Sequence, residues 1–356
     1  MVNKRKKVAL SAGGTAGHIN PLLEVAKVLQ EQDIELLYLG TSGIEKQLVG
    51  KAIKFQTILA GKLHRHISLA TILNLAKLKI GIFQAIWHLK KFKPDVVFAK
   101  GGFVSLPVVL ASKILRIPLV AHESDAEIGL SNKIALKFCQ KICLGFPLEN
   151  YTGINLAKAV FTGTPVNPLI HHTKVDYRYF GFDAKKQVIF ITGGSQGAQT
   201  LNEKIAQILP ELLENYQIIF QTGAHKPDYK AGKNDFWQKE FLDDAQMAKA
   251  YATADLIISR AGASTLAEIS ASGKPAILIP LPWSAQNHQV KNARIIEKAG
   301  AVVVLDQKNT SPEKIAITIN NILDNKIKIK AMAQAVSQFY EPQSARKIAN
   351  EISKLL

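Results

Sequence analysis

Two glycine-rich turns, each following a short apolar run, constrain this chain more than any other feature. The first is Gly13-Gly14-Thr15-Ala16-Gly17-His18 after Val8-Ala9-Leu10, and the second is Gly193-Gly194-Ser195-Gln196-Gly197-Ala198 after Val188-Ile189-Phe190-Ile191. A strand that turns through glycines into a helix brings backbone N–H groups close to an anion and aims the positive helix end at it. One such turn predicts a nucleotide site. Two, set 180 residues apart, predict two α/β domains facing a cleft. A length of 356 residues also suits two cores better than one.

Strand-like runs alternate with helical stretches along both halves, which argues doubly wound parallel sheets. The expected strands are 8–12, 35–40, 55–58, 96–99, 119–121 and 141–145, then 188–192, 217–222, 256–259, 276–279 and 301–305. Helices are expected after Asn20-Pro21, Ser68, Ser105 and near Gly129, then after Gly197, Gly262, Asn287 and Ser311. Pro21 suits a first helical position. Thr162–Pro168, with two prolines, reads as the interdomain linker. The expected domains are therefore 1–163 and 164–340, with an amphipathic helix within 341–356 that crosses back to the first.

The formal charge is +17, and it is uneven: residues 1–150 hold 21 Lys and Arg against 10 Asp and Glu. Such a half points to a polyanion, whether nucleic acid, an anionic membrane or a phosphorylated substrate. Residues 62–94 carry Lys62, Arg65, Lys77, Lys79, Lys90, Lys91 and Lys93 with no acid. Leu69, Ile72, Leu73, Ala76, Ile80, Phe83 and Trp87 recur there at helical spacing. The expectation is a helix whose apolar stripe is mostly core while its basic rim draws the protein to lipid. No stretch reaches the about 20 apolar residues of a membrane span. Cys139 and Cys143 read as buried free thiols.

The first turn lacks the G-x-G-x-x-G pattern and the acid closing the second strand, which disfavours a nicotinamide role. His18 falls where the turn meets a helix N-terminus. It fits a neutral general base, or a residue that only hydrogen-bonds the loop. Lys100-Gly101-Gly102 is a third glycine turn, either close to a ligand or a tight connection. His122-Glu123-Ser124-Asp125 ends a strand where open α/β sheets bind ligands. Asp125 or Glu123 could take a proton or bind hydroxyls there, or Ser124 or Asp125 could cap a helix. In the second half, Ser195 and its turn suit a diphosphate. Glu268, in the second turn of a helix after Gly262, could hold both hydroxyls of a ribose or be a solvated acid. The Pro282–Gln289 loop could read sugar hydroxyls through its amides. Nothing gathers acids in a D-x-D pattern, so neither a protein-bound metal nor a cofactor is expected.

Taken together, Gly13–Pro21, Gly101–Ser105, His122-Glu123, Gly129-Leu130-Ser131-Asn132-Lys133, Gly193–Ala198 and Arg260–Glu268 resemble the MurG family in order and spacing across essentially the whole chain. The resemblance implies an inverting GT-B glycosyltransferase that moves GlcNAc from UDP-GlcNAc to undecaprenyl-linked MurNAc-pentapeptide, as a peripheral protein on the cytoplasmic face of the cell membrane. It implies that Ser195 contacts the diphosphate, that Phe241 and Leu242 border the uracil, and that Glu268 binds ribose. Ala263, Ser264, Thr265, Leu266 and Ala267 would line the phosphate end, and Gln289 would bind sugar hydroxyls. Thr15, Ala16 and Gly17 would approach the donor from the other domain, with His18 as base and Asp125 as the other catalytic candidate. Three positions depart from the pattern: Asp125, where asparagine is common; Asn167, where arginine is common; and His288, where an amide is common. Competing readings are a diacylglycerol glycosyltransferase, a basic nucleic-acid-binding protein, and an inactive sugar-nucleotide-binding protein.

Overall fold

The computed structural model describes residues 5–50, 52–61, 69–194, 198–224 and 234–356. The chain divides into two compact units, Met1–Pro165 with Gln343–Leu356, and Val166–Pro342. These breaks fall two residues beyond the expected 163 and 340.

In the first unit seven strands form one parallel sheet: β1 (Lys7–Ser11), β2 (Glu35–Gly40), β3 (Lys54–Thr57), β4 (Val96–Ala99), β5 (Leu119–Glu123), β6 (Lys141–Leu144) and β7 (Ala159–Phe161). Their order is β3-β2-β1-β4-β5-β6-β7. The central strands are unbroken apolar runs such as Val96-Val97-Phe98-Ala99, all buried, because helices cover both faces of a doubly wound sheet. The chain winds outward from β1 in one direction and from β4 in the other. Its switch point therefore lies between the carboxyl ends of β1 and β4, where Ser11 pairs with Ala99.

The second unit repeats the plan with β8 (Val188–Thr192), β9 (Gln217–Gln221), β10 (Phe236–Lys239), β11 (Leu256–Ser259), β12 (Ala276–Leu278) and β13 (Val302–Val304), all parallel in the order β10-β9-β8-β11-β12-β13. Its switch point lies between β8 and β11, where Thr192 pairs with Ser259. Ile189, Ile191, Leu201, Ile205, Ile258 and Ile319 belong to its core.

β7 and β10 have no counterpart among the expected strands. Both are short and half-buried, and both lie at a sheet edge, where one side of the strand needs no apolar cover. The first helix also departs from expectation. It spans Ala16–Glu31, so Pro21 sits inside it rather than opening it. Thr15 is extended and ends the glycine turn, which forces the helix to start before Pro21. His18 thus stands in the first helical turn. Cys143 lies on β6, and both thiols, Cys139 and Cys143, are free and buried.

The last helix, Ser344–Ser353, packs on the first. Ile348, Ala349 and Ile352 join Leu22, Val25 and Leu29 in one core. Ser353 Oγ donates to Gln32 Oε1 at 2.9 Å.

The basic helix Leu69–Phe92 overturns its expectation. Of the stripe expected mostly in the core, Leu73, Ile80, Phe83 and Trp87 are exposed, Phe83 at 74% and Trp87 at 58%. The buried positions are instead Leu78, Gly81, Ala85, Leu89 and Phe92. Small residues decide this. A Cβ on Gly81 would stand 1.9 Å from the Leu59 carbonyl oxygen and 3.3 Å from Pro107 Cγ, so the helix approaches its neighbours on its glycine side. Among the described residues no helix is long and apolar enough to cross a membrane.

Candidate active site

In the first unit two glycine turns meet at the switch point. Gly13-Gly14 follow β1, and Gly101-Gly102 follow β4. Gly102 has φ +80°, and a Cβ there would lie 2.2 Å from the Gly13 carbonyl oxygen. Only glycine brings the two turns this close. The Gly14 N–H donates to Glu45 Oε1 at 2.9 Å, and Thr41 Oγ1 donates to Glu45 Oε2 at 2.8 Å. Glu45 is 2% exposed. This carboxylate, on the helix Ile44–Val49, already takes one amide of the first turn. Sequence reasoning missed it because its partner lies across the sheet.

His18 Nδ1 lies 3.0 Å from Thr15 Oγ1, and its backbone N–H donates to Thr15 O at 3.1 Å. His122, on β5, is wholly buried. Its Nε2 lies 2.9 Å from Gly163 O, while its Nδ1 has no hydrogen-bond partner among the described residues. Burial, then the charges of Lys100 and His18, hold His122 well below the usual histidine range. It is a neutral imidazole that donates through Nε2. Glu123 Oε1 accepts from Asp125 N at 3.1 Å; Oε2 accepts from Gly129 N at 2.9 Å and Asn132 Nδ2 at 3.0 Å. The Asp125 carbonyl accepts from Tyr151 Oη at 3.0 Å. Neither Ser124 nor Asp125 caps a helix: the next one, Leu130–Ala135, starts from Gly129. His18 and the run His122-Glu123-Ser124-Asp125, expected separately, thus belong to one end of one sheet.

The second unit has the same construction. Gly193-Gly194 follow β8, with φ +73° at Gly194, whose N–H donates to Thr192 Oγ1 at 3.2 Å. Ser195, with Gln196 and Gly197, lies outside the described residues. Opposite, β11 runs through Arg260-Ala261-Gly262 into the helix Ala263–Ser272. Its first residue follows an extended Gly262 with no side-chain cap, so its leading amides have no acceptor from that position. Thr265 Oγ1 would be 3.7 Å from a Cβ on Gly194 and 3.9 Å from one on Gly262. Ala263, Ser264 and Ala267 stand on the same two turns. Leu266 is buried, and its amide donates to Gly262 O at 2.9 Å.

Arg260 is buried, and burial brings it down to about 10. Its Nη1 donates to Ile279 O at 2.9 Å, and no ion pair with it occurs among the described residues. A buried guanidinium without a carboxylate is a strong anion site. Glu268 is not a solvated acid. Tyr251 Oη donates to its Oε2 at 2.9 Å, and burial raises its carboxyl to about 7. Tyr251, itself fully buried, is the partner sequence reasoning did not name.

Phe241 is exposed and Leu242 half-buried, between β10 and the helix Asp244–Thr253. Gln289 Oε1 accepts from Leu281 N at 2.9 Å. It follows two non-glycine residues in left-handed conformation, Gln286 (φ 57°) and Asn287 (φ 55°), strain typical of ligand-contacting loops. Asn167 is engaged within its unit: Nδ2 donates to Asp244 Oδ2 at 3.0 Å, and Oδ1 accepts from Leu169 N at 3.1 Å.

Two parallel, doubly wound α/β units carry glycine turns at their switch points, and comparison with known proteins narrows what such a scaffold is. Residues 8–144 match the glycosyltransferase family 28 N-terminal domain, and 188–352 match its C-terminal domain. A UDP-N-acetylglucosamine--N-acetylmuramyl-(pentapeptide) pyrophosphoryl-undecaprenol N-acetylglucosamine transferase of Clostridium kluyveri is 38% identical over 345 residues, covering 94% of this chain and 97% of that protein. A protein of the same name from Geobacillus thermodenitrificans is 35% identical, covering 92% and 93%. The crystal structure of Acinetobacter baumannii MurG superposes with a TM-score of 0.77 at 30% identity, covering 98% of this chain and 99% of that one. The chain belongs to the MurG family within glycosyltransferase family 28.

Proposed function

We infer that the chain is a hexosyltransferase that moves GlcNAc from UDP-GlcNAc to the 4-hydroxyl of undecaprenyl-pyrophosphoryl-MurNAc-pentapeptide, with inversion, in peptidoglycan precursor synthesis. The observation that carries this reading is the second switch point. The Gly193-Gly194 turn and the start of the helix Ala263–Ser272 meet there, with Thr265 Oγ1 3.7 Å from a Cβ on Gly194, and the buried Arg260, in no ion pair among the described residues, leaves β11 beside them with its guanidinium toward Ile279 O, in a chain with full-length relatives of that activity.

The diphosphate takes amides from the Gly193–Ala198 turn and from Ala263, Ser264 and Thr265, with Ser195 and Arg260 completing the cradle. Phe241 and Leu242 border the uracil. Glu268 accepts from the ribose hydroxyls. Gln289, with its Oε1 committed to Leu281, meets sugar hydroxyls through Nε2. Thr15, Ala16 and Gly17 contact the donor from the first unit. For His18 to act as base, its ring holds Nδ1–H toward Thr15 Oγ1, the tautomer in which Nε2 carries the lone pair that accepts the proton of the 4-hydroxyl. That oxygen forms the new bond to the anomeric carbon as the bond to UDP breaks. The departing charge is held by amides and guanidinium. The test is transfer from labelled UDP-GlcNAc to a short-chain lipid-linked MurNAc-pentapeptide, with diacylglycerol as the competing acceptor.

Glu268 makes the donor step pH-dependent. Its ionised carboxylate accepts from two hydroxyls; its acid form keeps one hydrogen and accepts less well. With its carboxyl raised to about 7, donor affinity rises with pH through neutrality. Calorimetric titration with UDP-GlcNAc should show several-fold tighter binding at about pH 8 than at about pH 6, and Glu268→Gln should bind weakly and flatly across that range. A flat wild-type profile removes Glu268 from the ribose.

The first unit also offers a membrane face. Leu73, Ile80, Phe83 and Trp87 are exposed on a helix that also bears Lys77, Lys79, Lys90 and Lys91, with Lys91 Nζ 5.2 Å from the Trp87 ring. Aromatic and basic groups on one helix fit peripheral binding to the anionic cytoplasmic leaflet. Phe83→Glu with Trp87→Glu should weaken sedimentation with anionic vesicles at least about tenfold, and salt should weaken the wild type. Equal binding to uncharged vesicles contradicts the electrostatic part.

A further inference from the structure

Tyr251 has no part in the mechanism above, yet it is the buried partner of Glu268. It stands in the last turn of the helix Asp244–Thr253 and is wholly buried. Its ring meets Phe190 of β8 edge-on, with centroids 5.2 Å apart and planes at 86°. Phe190 is wholly buried too, on a central strand of the second sheet. A ring packed this way has no room to swing, so the core itself fixes where the hydroxyl stands. That hydroxyl donates to Glu268 Oε2 at 2.9 Å. Glu268 is half-buried on the helix Ala263–Ser272, and no hydrogen bond to its Oε1 occurs among the described residues.

We propose that Tyr251 is a positioning residue for donor binding: its hydroxyl holds Glu268 by Oε2, so that the carboxylate is set in place before the ribose hydroxyls reach it. This rests on the reading of Glu268 as the ribose acceptor. A glutamate side chain turns about several bonds, and ordering it only when the ligand arrives costs affinity. A tether to one oxygen removes that cost in advance. It also leaves room for the ligand, since a carboxylate offers about four acceptor positions and the tyrosine takes one. The phenol keeps its proton for the task, because burial and the Glu268 charge hold it well above the usual tyrosine range. Burial raises the Glu268 carboxyl, the Tyr251 bond lowers it, and the charge of Asp244, on the same helix as Tyr251, raises it. The other helices packed on Ala263–Ser272 meet its far end: His171 Nδ1 lies 3.0 Å from Ala271 O, and Ser337 Oγ would lie 3.1 Å from a Cβ on Gly273.

The test is a double-substitution cycle on the full chain with Tyr251→Phe, Glu268→Ala and both together, read by calorimetric titration with UDP-GlcNAc. Tyr251→Phe removes the hydroxyl and keeps the ring on Phe190. It should weaken binding about five- to tenfold, while turnover at saturating donor stays within about threefold of wild type. The pH at which affinity rises should move upward, because the ionised carboxylate loses a donor. In the Glu268→Ala background, where no carboxylate is left to hold, the same change should cost less than about twofold. Tyr251→Met, which also removes the donor, carries the same expectations if the Phe variant fails to fold. Wild-type affinity in Tyr251→Phe, or an equal loss in both backgrounds, overturns the proposal while leaving Glu268 on the ribose. A Glu268→Ala chain that binds UDP-GlcNAc as tightly as wild type defeats the ribose reading itself, and the proposal falls with it.

Discussion

His18→Ala lowers turnover by about 10²–10⁴-fold while donor affinity stays within about threefold, the range expected when a positioned general base is removed. The argument is geometric. His18 is in the first turn of the helix Ala16–Glu31, with Nδ1 tied to Thr15 Oγ1 at 3.0 Å, so a hydroxyl helps to orient the ring. A hydroxyl can accept from Nδ1–H or donate to Nδ1. Only the first arrangement leaves Nε2 able to take a proton. Thr15→Val should therefore lower turnover in the same direction but less, since it removes the orienting bond and not the base. Single-turnover and donor-titration measurements separate the effects. A His18→Ala enzyme with wild-type turnover takes this residue out of the chemistry.

Gly102→Ala should cost the first unit about 2–5 kcal/mol, combining about 1–2 for a left-handed alanine with about 1–3 for overpacking. Its φ is +80°, and the new methyl would lie 2.2 Å from the Gly13 carbonyl oxygen. That carbonyl has little room to retreat. A Cβ on Gly13 itself would meet Glu45 Oε1 at 2.2 Å and Val104 Cβ at 2.7 Å, so the turn is hemmed in on its other side. Gly153→Ala is the control: its φ is +71°, but nothing lies within 4 Å of the added atom. Thermal unfolding should show Gly102→Ala lower in Tm by about 5 °C or more than Gly153→Ala, and activity should fall with it. Equal melting temperatures would mean that the two turns do not meet as described.

These two predictions draw on different amounts of sequence information. The glycine turns and the apolar central strands were legible because both-face burial writes itself as an unbroken run, as in Val188-Ile189-Phe190-Ile191. Edge strands do so less reliably: β3 and β13 were expected, while β7 and β10, short and half-buried throughout, were not. The helix Leu69–Phe92 misled because apolar residues line both its sides; only the close approach at Gly81 decides which side is core. Glu45, Lys100 and Tyr251 were illegible for another reason. Each matters through a partner 17 to 31 residues away, brought near by winding of the sheet: Gly14, Ser124 and Glu268 respectively. Charge and residue type alone give no sign of such pairings.

The sharpest measurement is the reaction itself. Purified protein given radiolabelled UDP-GlcNAc, a short-chain lipid-linked MurNAc-pentapeptide and diacylglycerol should release UDP and yield the disaccharide joined at the MurNAc 4-hydroxyl with inverted anomeric configuration. Label found only in free sugar or on diacylglycerol, or a retained configuration, would contradict the account.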